Sequence, residues 1–363
     1  MVEQVKENNY LLSVIIPVYN AEKYVRRAIR SVIEQPNFEK MEIVLVNDGS
    51  KDNSATICDE YAKSYDNIVV VHKENGGVSS ARNAALEQVK GKYCAFLDSD
   101  DWYEDNFFTD DIIASIKDGE VDIFGFSYRL ISFNYKYYVK EDRAEEKEMI
   151  NPLGNQYDWR MFWCYIYRTS LIKENNIWFH PVKFNEDFSF AERCFYVAKH
   201  VRYIDKFLYA YWMNPESVSH VNRTLFQYGE YCKSLRYQKE WFEGRDYEIP
   251  VERLYIWYID RMLPNFCSEL SFEELNKLFI EDPRFYVIDK SEELAGKSVP
   301  NVEQWKNDSK LFWKINNNKK VKLKTFLYRH AWIHAFVDAI SSIRNKRAKV
   351  DKNTIKKIKQ LSK

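Results

Sequence analysis

Short apolar runs alternate with amphipathic segments over the first hundred residues. Four runs rich in β-branched residues are Leu12–Ile16, Glu42–Val46, Ile68–Val71 and Tyr93–Leu97. The three segments between them with helical spacing of apolar positions are Ala21–Glu34, Ser54–Ser64 and Ser79–Val89. Strands alternating with helices of this length predict right-handed βαβ units and a doubly wound, mostly parallel sheet. The predicted fold class is therefore α/β.

Polar residues follow each of the four predicted strands. These strand ends are Pro17-Val18-Tyr19-Asn20, Asn47-Asp48-Gly49-Ser50, Lys73-Glu74-Asn75-Gly76-Gly77 and Asp98-Ser99-Asp100-Asp101. Each one alone is consistent with an ordinary turn or helix cap. Ligands of parallel sheets bind beyond the carboxyl ends of the strands, so four polar ends on one edge favour a binding site.

The most polar of these ends is the acidic turn Asp98-Ser99-Asp100-Asp101. Carboxylates this close repel one another, and each is costly to desolvate unless it is paired. A divalent cation such as Mg²⁺ or Mn²⁺, together with ribose hydroxyls, would relieve that cost. The alternative is a solvated turn before a helix that begins near Glu104, since acids favour helix N-termini.

Composition narrows the class of protein. The chain has 363 residues, 45% of them hydrophobic, and no net charge, so no overall field favours nucleic acid. Its six cysteines show no Cys-x-x-Cys spacing, which fits reduced thiols. The run Leu11–Ile16 is too short for a signal peptide, and no 18 consecutive residues are apolar. We therefore expect a cytoplasmic protein, soluble or peripheral on the inner face of the plasma membrane.

Four segments together resemble the sequence blocks of family 2 glycosyltransferases, which have a GT-A fold. They are Ser13–Asn20, Val44–Ser50, Asn75–Asn83 and Phe96–Asp101, in the family's order. The resemblance covers residues 10 to 110 and continues more weakly to about 220. It implies a nucleotide-diphosphate-sugar donor, a divalent metal and inversion at the anomeric carbon, as in bacterial polysaccharide or cell-wall synthesis.

The resemblance also implies roles for residues of the first two strand ends. Pro17, Val18 and Tyr19 would wall a uracil ring, with Glu22 close by. Asp48 would accept a hydrogen bond from N3–H of the base and so select a pyrimidine.

Residues of the other two strand ends would hold the rest of a UDP-sugar. Gly77 would let the backbone approach the ligand, and Arg82 would face the phosphates or an aspartate. Asp98, with Ser99 beside it, would hold the ribose. Asp100 would bind the Mn²⁺ or Mg²⁺ that bridges the two phosphates.

Between residues 104 and 167 the patterns are less distinctive. We predict a helix over Glu104–Lys117, a strand over Val121–Leu130 and a solvated charged loop over Glu141–Glu148. The aromatic run Trp159–Tyr167 is more consistent with core than with an acceptor cleft.

An acidic pair, Glu186-Asp187, starts a predicted helix. The simpler interpretation is that Asn185 caps this helix and the two acids complement its dipole. The resemblance places the pair at the family's Glu-Asp motif, with Asp187 as the base that deprotonates the acceptor hydroxyl and Glu186 beside it.

The segment Tyr209–His220 resembles the block that closes the family's catalytic domain. Trp212 stands where family members often carry a basic residue, so a phosphate contact there is in doubt. His220 is either a further metal ligand or an ordinary surface histidine.

We predict three regions: a GT-A domain over 1–225, a helical region over 226–318 and a basic segment over 319–363. Helices are expected at Phe226–Trp241, Glu252–Phe266 and Phe272–Phe279, packing on the catalytic domain or on a second copy in a homo-oligomer. The basic segment carries an apolar stripe, which fits either an inner-leaflet membrane surface or a helix docked on the protein.

The predicted function is an inverting, metal-dependent glycosyltransferase that moves a sugar from a UDP-sugar to a hydroxyl of a glycan or lipid-linked saccharide. A nucleotidyltransferase acting on a sugar phosphate is one alternative, although no loop suits a triphosphate. A non-catalytic nucleotide-sugar-binding subunit of a glycan assembly complex is the other.

Overall fold

A computed structural model describes residues 10–116, 119–135, 138–150, 161–215, 225–245 and 352–361. The chain divides into two compact units. The first contains residues 1–181, 190–215 and 347–363, and the second contains residues 182–189 and 216–346.

A single mixed sheet of ten strands organises the first unit, counted over the residues that the structure describes. Its strands are β1 Leu12–Val18, β2 Met41–Asp48, β3 Ile68–Lys73, β4 Tyr93–Phe96, β5 Trp102–Tyr103, β6 Ile123–Ile131, β7 Tyr138–Asp142, β8 Lys147–Ile150, β9 Tyr165–Arg168 and β10 His200–Trp212. The main path runs β3-β2-β1-β4-β9-β6-β10-β5, with β7 beside β6 and β8 beside β10. The first four strands are mutually parallel, whereas β9 is antiparallel to both of its neighbours.

The described helices are α1 Val25–Ile33, α2 Ser54–Ser64, α3 Val78–Gln88, α4 Asp110–Ile116, α5 Thr169–Glu174, α6 Glu186–Val197, α7 Leu225–Phe242 and α8 Lys352–Leu361. Short 3₁₀ turns occur at Phe38–Lys40 and Phe162–Cys164.

The predicted alternation of strands and helices over the first hundred residues is confirmed. Strands β1 and β2 are buried along their whole length, as their continuous apolar runs require of a sheet covered on both faces. Helix α2 has the predicted bounds, and α3 is displaced by one residue. Helix α1 begins four residues later than predicted, because residues 21–24 form a turn in which the N–H of Tyr24 bonds to the carbonyl of Ala21.

The helix predicted from Glu104 begins only at Asp110. The side chain of Gln35 explains the delay, because it takes over backbone groups that a helix would use. Its amide donates to the carbonyl of Glu104 at 2.8 Å and accepts from the N–H of Phe108 at 3.1 Å. The preceding residues, Trp102 and Tyr103, form the short edge strand β5.

The charged segment predicted as a loop, Glu141–Glu148, instead contributes to two strands. Strand β7 pairs with β6, and β8 pairs with β10, both in antiparallel register. Along β8 half-buried and exposed residues alternate, so its charged side chains suit a strand with one face in solvent.

The aromatic run at 159–167 belongs to the core, as the sequence favoured. Phe162, Trp163, Tyr165 and Tyr167 are buried, while Trp159 lies outside the described residues. Phe96, at the end of β4, contacts both Phe162 and Tyr167 edge-on or tilted. These rings therefore pack β9, and the turn before it, against β4, the last of the four parallel strands.

Part of the basic segment is described, and it is docked rather than free. The apolar positions Ile355, Ile358 and Leu361 of α8 pack against a cluster that includes Trp102 and Trp212. The rest of 319–363, and the predicted helices over 252–266 and 272–279, lie outside the described residues. No helix among the described residues combines the length and apolar character needed to cross a membrane.

The second unit is described over residues 182–189 and 225–245. Helix α7 there lies close to the start of α6, because Glu230 accepts from the N–H of Lys183 at 2.7 Å. The hydroxyl of Ser234 also donates to the carbonyl of Asn185 at 3.1 Å. The helix predicted over Phe226–Trp241 is confirmed, since α7 spans Leu225–Phe242.

A buried carboxylate joins the starts of the parallel strands. Glu42, fully buried on β2, accepts from the hydroxyl of Ser13 at 2.5 Å and from the N–H of Lys90 at 2.6 Å. Gly91 comes so close that a Cβ there would lie 2.5 Å from the backbone nitrogen of Ser13.

We expect Gly91→Ala to destabilise the fold, because the added methyl meets backbone rather than a movable side chain. Overpacking of this kind costs about 1–3 kcal/mol in the free energy of unfolding. Chemical denaturation measures it, with Lys90→Ala, an exposed neighbour, as the control expected within about 0.5 kcal/mol of wild type. Equal stability of the two variants would contradict the close approach.

Candidate functional site

The carboxyl ends of β1, β2, β3 and β4 lie along one edge of the sheet, because these strands are parallel and adjacent. The structure therefore brings together the four polar strand ends that the sequence predicts. Each end has its own local geometry, which decides what it offers to a ligand.

Asp48, at the end of β2, organises the loop that follows β3. Its side chain is almost fully buried. Oδ1 accepts from the Lys73 ammonium at 2.5 Å and from the N–H of Gly76 at 2.9 Å, and Oδ2 accepts from the N–H of Gly77 at 2.8 Å. One carboxylate thus fixes the turn that leads into α3.

Gly77 forms the open floor of this turn. Its φ of 83° lies in the left-handed region, which glycine adopts without steric cost. Apart from its two chain neighbours, no described residue has an atom within 4 Å of the position that a Cβ would take. The surface above Gly77 is therefore free for a ligand to approach the backbone.

The end of β1 passes from buried to exposed within two residues. Pro17 and Val18 are buried, whereas the ring of Tyr19 is 50% exposed. Glu22 accepts from the backbone N–H of Asn53 at 3.0 Å and from its side-chain amide at 2.8 Å. Of the residues predicted to wall a base, Tyr19 offers an accessible aromatic face, and Glu22 ties the β1 end to the start of α2.

Asp98 pairs with Arg82 at the end of β4. The Arg82 guanidinium lies 3.0 Å from the Asp98 carboxylate, and its side chain is only 5% exposed. The rings of Phe162 and Phe179 flank it, with centroids 4.3 Å and 5.3 Å from the guanidinium carbon. The aromatic packing holds the cation beside a half-buried acid, and facing an aspartate is one of the two environments that the resemblance implied for Arg82.

The end of β10 supplies donors to the acidic turn. Asp101 accepts from the Tyr209 hydroxyl at 2.7 Å and from the N–H of Trp212 at 2.8 Å. Asp100 accepts from the side-chain amide of Asn214 at 2.8 Å. Ser99 is half-buried between the two. Two strands, β9 and β6, separate β4 from β10 in the sheet, yet β10 and the residues just after it hold the turn that ends β4.

Burial disfavours the ionised forms of two side chains of the acidic turn, Asp100 and Asp101. Desolvation raises the pKa of Asp100, an effect that the Asn214 hydrogen bond opposes and the charge of Asp98 reinforces. The pKa of Asp101 is raised well above its usual range, first by burial and then by the charges of Asp100 and Asp98. A cation placed here would stabilise the ionised carboxylates.

Sequence reasoning did not assign Tyr209 or Asn214 to the site. Both lie in the segment Tyr209–His220, which resembles a family block, so that resemblance was the available signal. Trp212, at the position where family members often carry a basic residue, is 6% exposed and packs in the core. His220 lies outside the described residues, and within those residues no three His, Cys, Asp or Glu side chains are arranged to hold a metal ion.

The acidic pair Glu186-Asp187 begins α6, and this first turn belongs to the second unit. Both side chains are half-buried. Asp187 accepts from the N–H of Phe188 at 2.7 Å, so its charge complements the helix N-terminus. Asn185 has a φ of 65°, and its amide contacts Ser234 Oγ at 3.4 Å.

Comparison with known proteins identifies the class. The family described as glycosyl transferase family 2 matches residues 13–185. The glycosyltransferase GlyG of Streptococcus pneumoniae is 30% identical over 220 residues, which are 57% of this chain and 72% of GlyG. The chain therefore belongs to glycosyl transferase family 2, as its sequence blocks predicted.

Other relatives are longer than the shared region. EpsJ of Bacillus subtilis, an uncharacterised glycosyltransferase, is 34% identical over 58% of this chain and 63% of its own length. For GlyA of Streptococcus pneumoniae the identity is 32%, over 58% of this chain and 32% of GlyA. The chain thus spans less than two thirds of these two relatives.

A solved structure confirms the GT-A expectation. S. aureus TarS, residues 1–349 in complex with UDP-GlcNAc, superposes with a TM-score of 0.66 at 22% identity. The match covers 85% of this chain and 91% of that one. The predicted doubly wound α/β fold is confirmed.

We expect Tyr209→Phe to destabilise the protein, although the two side chains differ only in the hydroxyl group. It removes the hydroxyl that donates to the buried side chain of Asp101, and a buried acceptor that loses a partner costs about 1–3 kcal/mol. Thermal unfolding at neutral pH measures the loss. Tyr65→Phe, whose ring is 36% exposed, is the matched control. An unchanged midpoint for Tyr209→Phe would show that the Asp101 contact is unimportant.

Proposed function

We propose that this protein is an inverting glycosyltransferase that moves a sugar from a UDP-sugar to a hydroxyl of a glycan or lipid-linked saccharide. The observation that carries the proposal is the convergence of Asp48, Gly77, Arg82 and the acidic turn on one edge of a GT-A sheet. Family membership supports the reaction class. The donor, the metal, the acceptor and the roles of single residues are parts of the proposal.

The uracil would bind between the ends of β1 and β2. Tyr19 presents half of its ring to solvent, and the walls beneath it, Pro17 and Val18, are buried. Each carboxylate oxygen accepts about two hydrogen bonds, and Asp48 Oδ2 receives one from Gly77. That oxygen can accept a second from N3–H of the base, while Glu22 holds the neighbouring loop.

The ribose and the diphosphate would lie toward Gly77 and the acidic turn. Asp98 is the more exposed member of its pair with Arg82. The part of its carboxylate that faces solvent can therefore accept from ribose hydroxyls beside Ser99. Open space above Gly77 admits the ligand to the backbone. Arg82 supplies a fixed positive charge for the leaving group.

The carboxylates of the turn fit a divalent cation. The pKa of Asp100 is raised by burial and by the charge of Asp98, and a bound Mn²⁺ or Mg²⁺ would stabilise both anions. Asp100 would hold the ion, with His220 as a further ligand and the phosphates completing its shell. When bound, the ion would neutralise the charge that develops on UDP.

Asp187 would act as the base, with Glu186 beside it. In a single displacement one carboxylate takes the acceptor proton while the hydroxyl attacks the anomeric carbon opposite the leaving UDP. The position of Asp187 at the start of α6 stabilises its anionic form, which is the form a base needs.

The fold neighbour TarS makes UDP-GlcNAc the first donor to test, because that protein was crystallised with it. The acceptor is proposed by class only. Attachment to an inner-leaflet surface through 319–363, and self-association, stay predictions, since α8 shows that one part of this segment packs on the protein.

We expect UDP with Mn²⁺ to stabilise the protein more than GDP, CDP or ATP. A ligand at 100 times its dissociation constant adds about 2.7 kcal/mol to the free energy of unfolding. Thermal shift with and without Mn²⁺ measures this, and Asp100→Ala should abolish the metal-dependent part. Asp66→Ala, an exposed acid after α2, is the control that should behave as wild type.

A response to ATP with release of pyrophosphate would favour a nucleotidyltransferase instead. Stabilisation by UDP that does not depend on Mn²⁺ would remove the metal from the proposal and keep the donor. The absence of any nucleotide response would refute the donor site.

We expect Asp187→Asn to abolish transfer while UDP binding is retained. Loss of a general base lowers turnover by about 10²–10⁴-fold, and asparagine keeps the size of the side chain. Release of UDP from UDP-sugars, with and without saccharide acceptors, measures turnover, and Glu174→Gln at the exposed end of α5 is the control. Transfer by Asp187→Asn at the wild-type rate would exclude Asp187 as the base. A wild-type protein that binds UDP but transfers no sugar would favour a non-catalytic binding subunit.

A further inference from the structure

A buried arginine lies beneath the acidic turn. Arg27, on the inner face of α1, is 2% exposed. Its Nη2 donates to the backbone carbonyl of Asp100, and its Nη1 donates to the Tyr135 hydroxyl at 2.9 Å. The guanidinium therefore holds the main chain of Asp100, whereas Asn214 holds the side chain of the same residue.

Aromatic rings fix this guanidinium from its faces. Its central carbon lies 4.4 Å from the ring centroid of Trp102, 5.1 Å from that of Trp212 and 5.6 Å from that of Tyr135. The rings of Tyr135 and Trp212 are themselves stacked, 5.1 Å apart and within 8° of parallel. Cation–π contacts strengthen when the site is desolvated, so the rings restrict where the charge can lie.

The positive charge of Arg27 acts on the acidic turn as a whole and not through an ion pair with one carboxylate. Among the residues that the structure describes, no carboxylate lies within ion-pair distance of Arg27. A buried cation without a direct partner is costly, and the acidic residues of the turn supply the compensating negative field. The Arg27 charge acts in turn on Asp100, where it favours the ionised form.

Helix α8 covers the same assembly from the other side. Its Ile355, Ile358 and Leu361 pack on the cluster that contains Trp102 and Trp212. The carbonyl of Gln360 accepts from Arg30, one helical turn after Arg27 on α1, at 2.5 Å. Trp102 and Trp212, two of the rings around Arg27, are thus buried with the help of a segment far away in sequence.

We propose that Arg27 is a positioning residue that fixes the acidic turn Asp98–Asp101, and that α8 is part of its support. Arg27 touches neither donor nor acceptor in this proposal, and acts through the Asp100 carbonyl. The consequence for catalysis rests on the proposed function, while the consequence for the geometry of the turn does not. A purely structural Arg27 would instead stabilise the whole sheet equally.

Hydrogen exchange of the unliganded protein separates these cases. We expect Arg27→Met to raise the exchange of amides 98–103 about tenfold relative to those of β2 and β3, as loss of a charged hydrogen bond implies. Arg27→Lys should restore part of the protection, because it keeps the charge and one donor. Arg26→Met, at the half-buried neighbour on the same helix that pairs with Glu60, should leave the turn unchanged.

A milder variant covers the case in which Arg27→Met does not fold. Leu361→Ala opens the cover without touching Arg27, and it should raise exchange in 98–103 and in α8 before it affects β2 or β3. Unchanged exchange in 98–103, or an equal rise throughout the sheet, would overturn the proposal for either variant.

Metal titration of nucleotide binding provides the functional readout. In Arg27→Met the Mn²⁺ concentration needed for half of the UDP stabilisation should rise by about tenfold or more, as for other groups that orient a ligand. UDP affinity without metal should stay within about twofold of wild type. Tighter Mn²⁺ binding would overturn the proposal, since simple charge repulsion by Arg27 would then dominate. Local loosening in a protein that binds no nucleotide would refute the proposed function and support the positioning role.

Discussion

Carboxylates that leave water must find donors, and the acidic turn after β4 depends on this constraint. Within the turn the N–H of Asp101 donates to the main-chain carbonyl of Asp98 at 3.0 Å, a bond that serves no carboxylate. Donors to the carboxylates come from elsewhere: Arg82 on α3, Tyr209 and Trp212 on β10, and Asn214 just beyond it. The long sheet is therefore needed to bring β10 to the turn, and the site cannot form from the first hundred residues alone.

Asp48 also depends on donors from another part of the chain. Its carboxylate both builds the loop around Gly76 and Gly77 and lies where a base is proposed to bind. A group already held by three donors has little freedom left to lose when a ligand arrives. Preorganisation of this kind favours binding, because the ordering cost is met during folding.

Sequence patterns predicted β1 to β4 and α1 to α3 well, because continuous apolar runs and helical spacing report burial directly. Strand β10 was missed, since Asp205 and Lys206 interrupt its apolar pattern where its register with β6 shifts. Arg27 was missed for a different reason: in sequence it is indistinguishable from its neighbour Arg26, which is only half-buried. Which of two adjacent arginines is buried depends on Trp102 and Trp212, and their tertiary contacts are not encoded locally.

The docking of α8 on α1 also has a consequence in time. A ribosome delivers β1 to β4 long before it delivers Ile358 and Leu361, and domains begin to fold from the N-terminus during synthesis. The nascent chain can therefore pair β1 to β4 early, whereas the aromatic rings around Arg27 become fully packed only when α8 docks. In this protein the acidic turn reaches its final surroundings only after the chain has been made as far as α8.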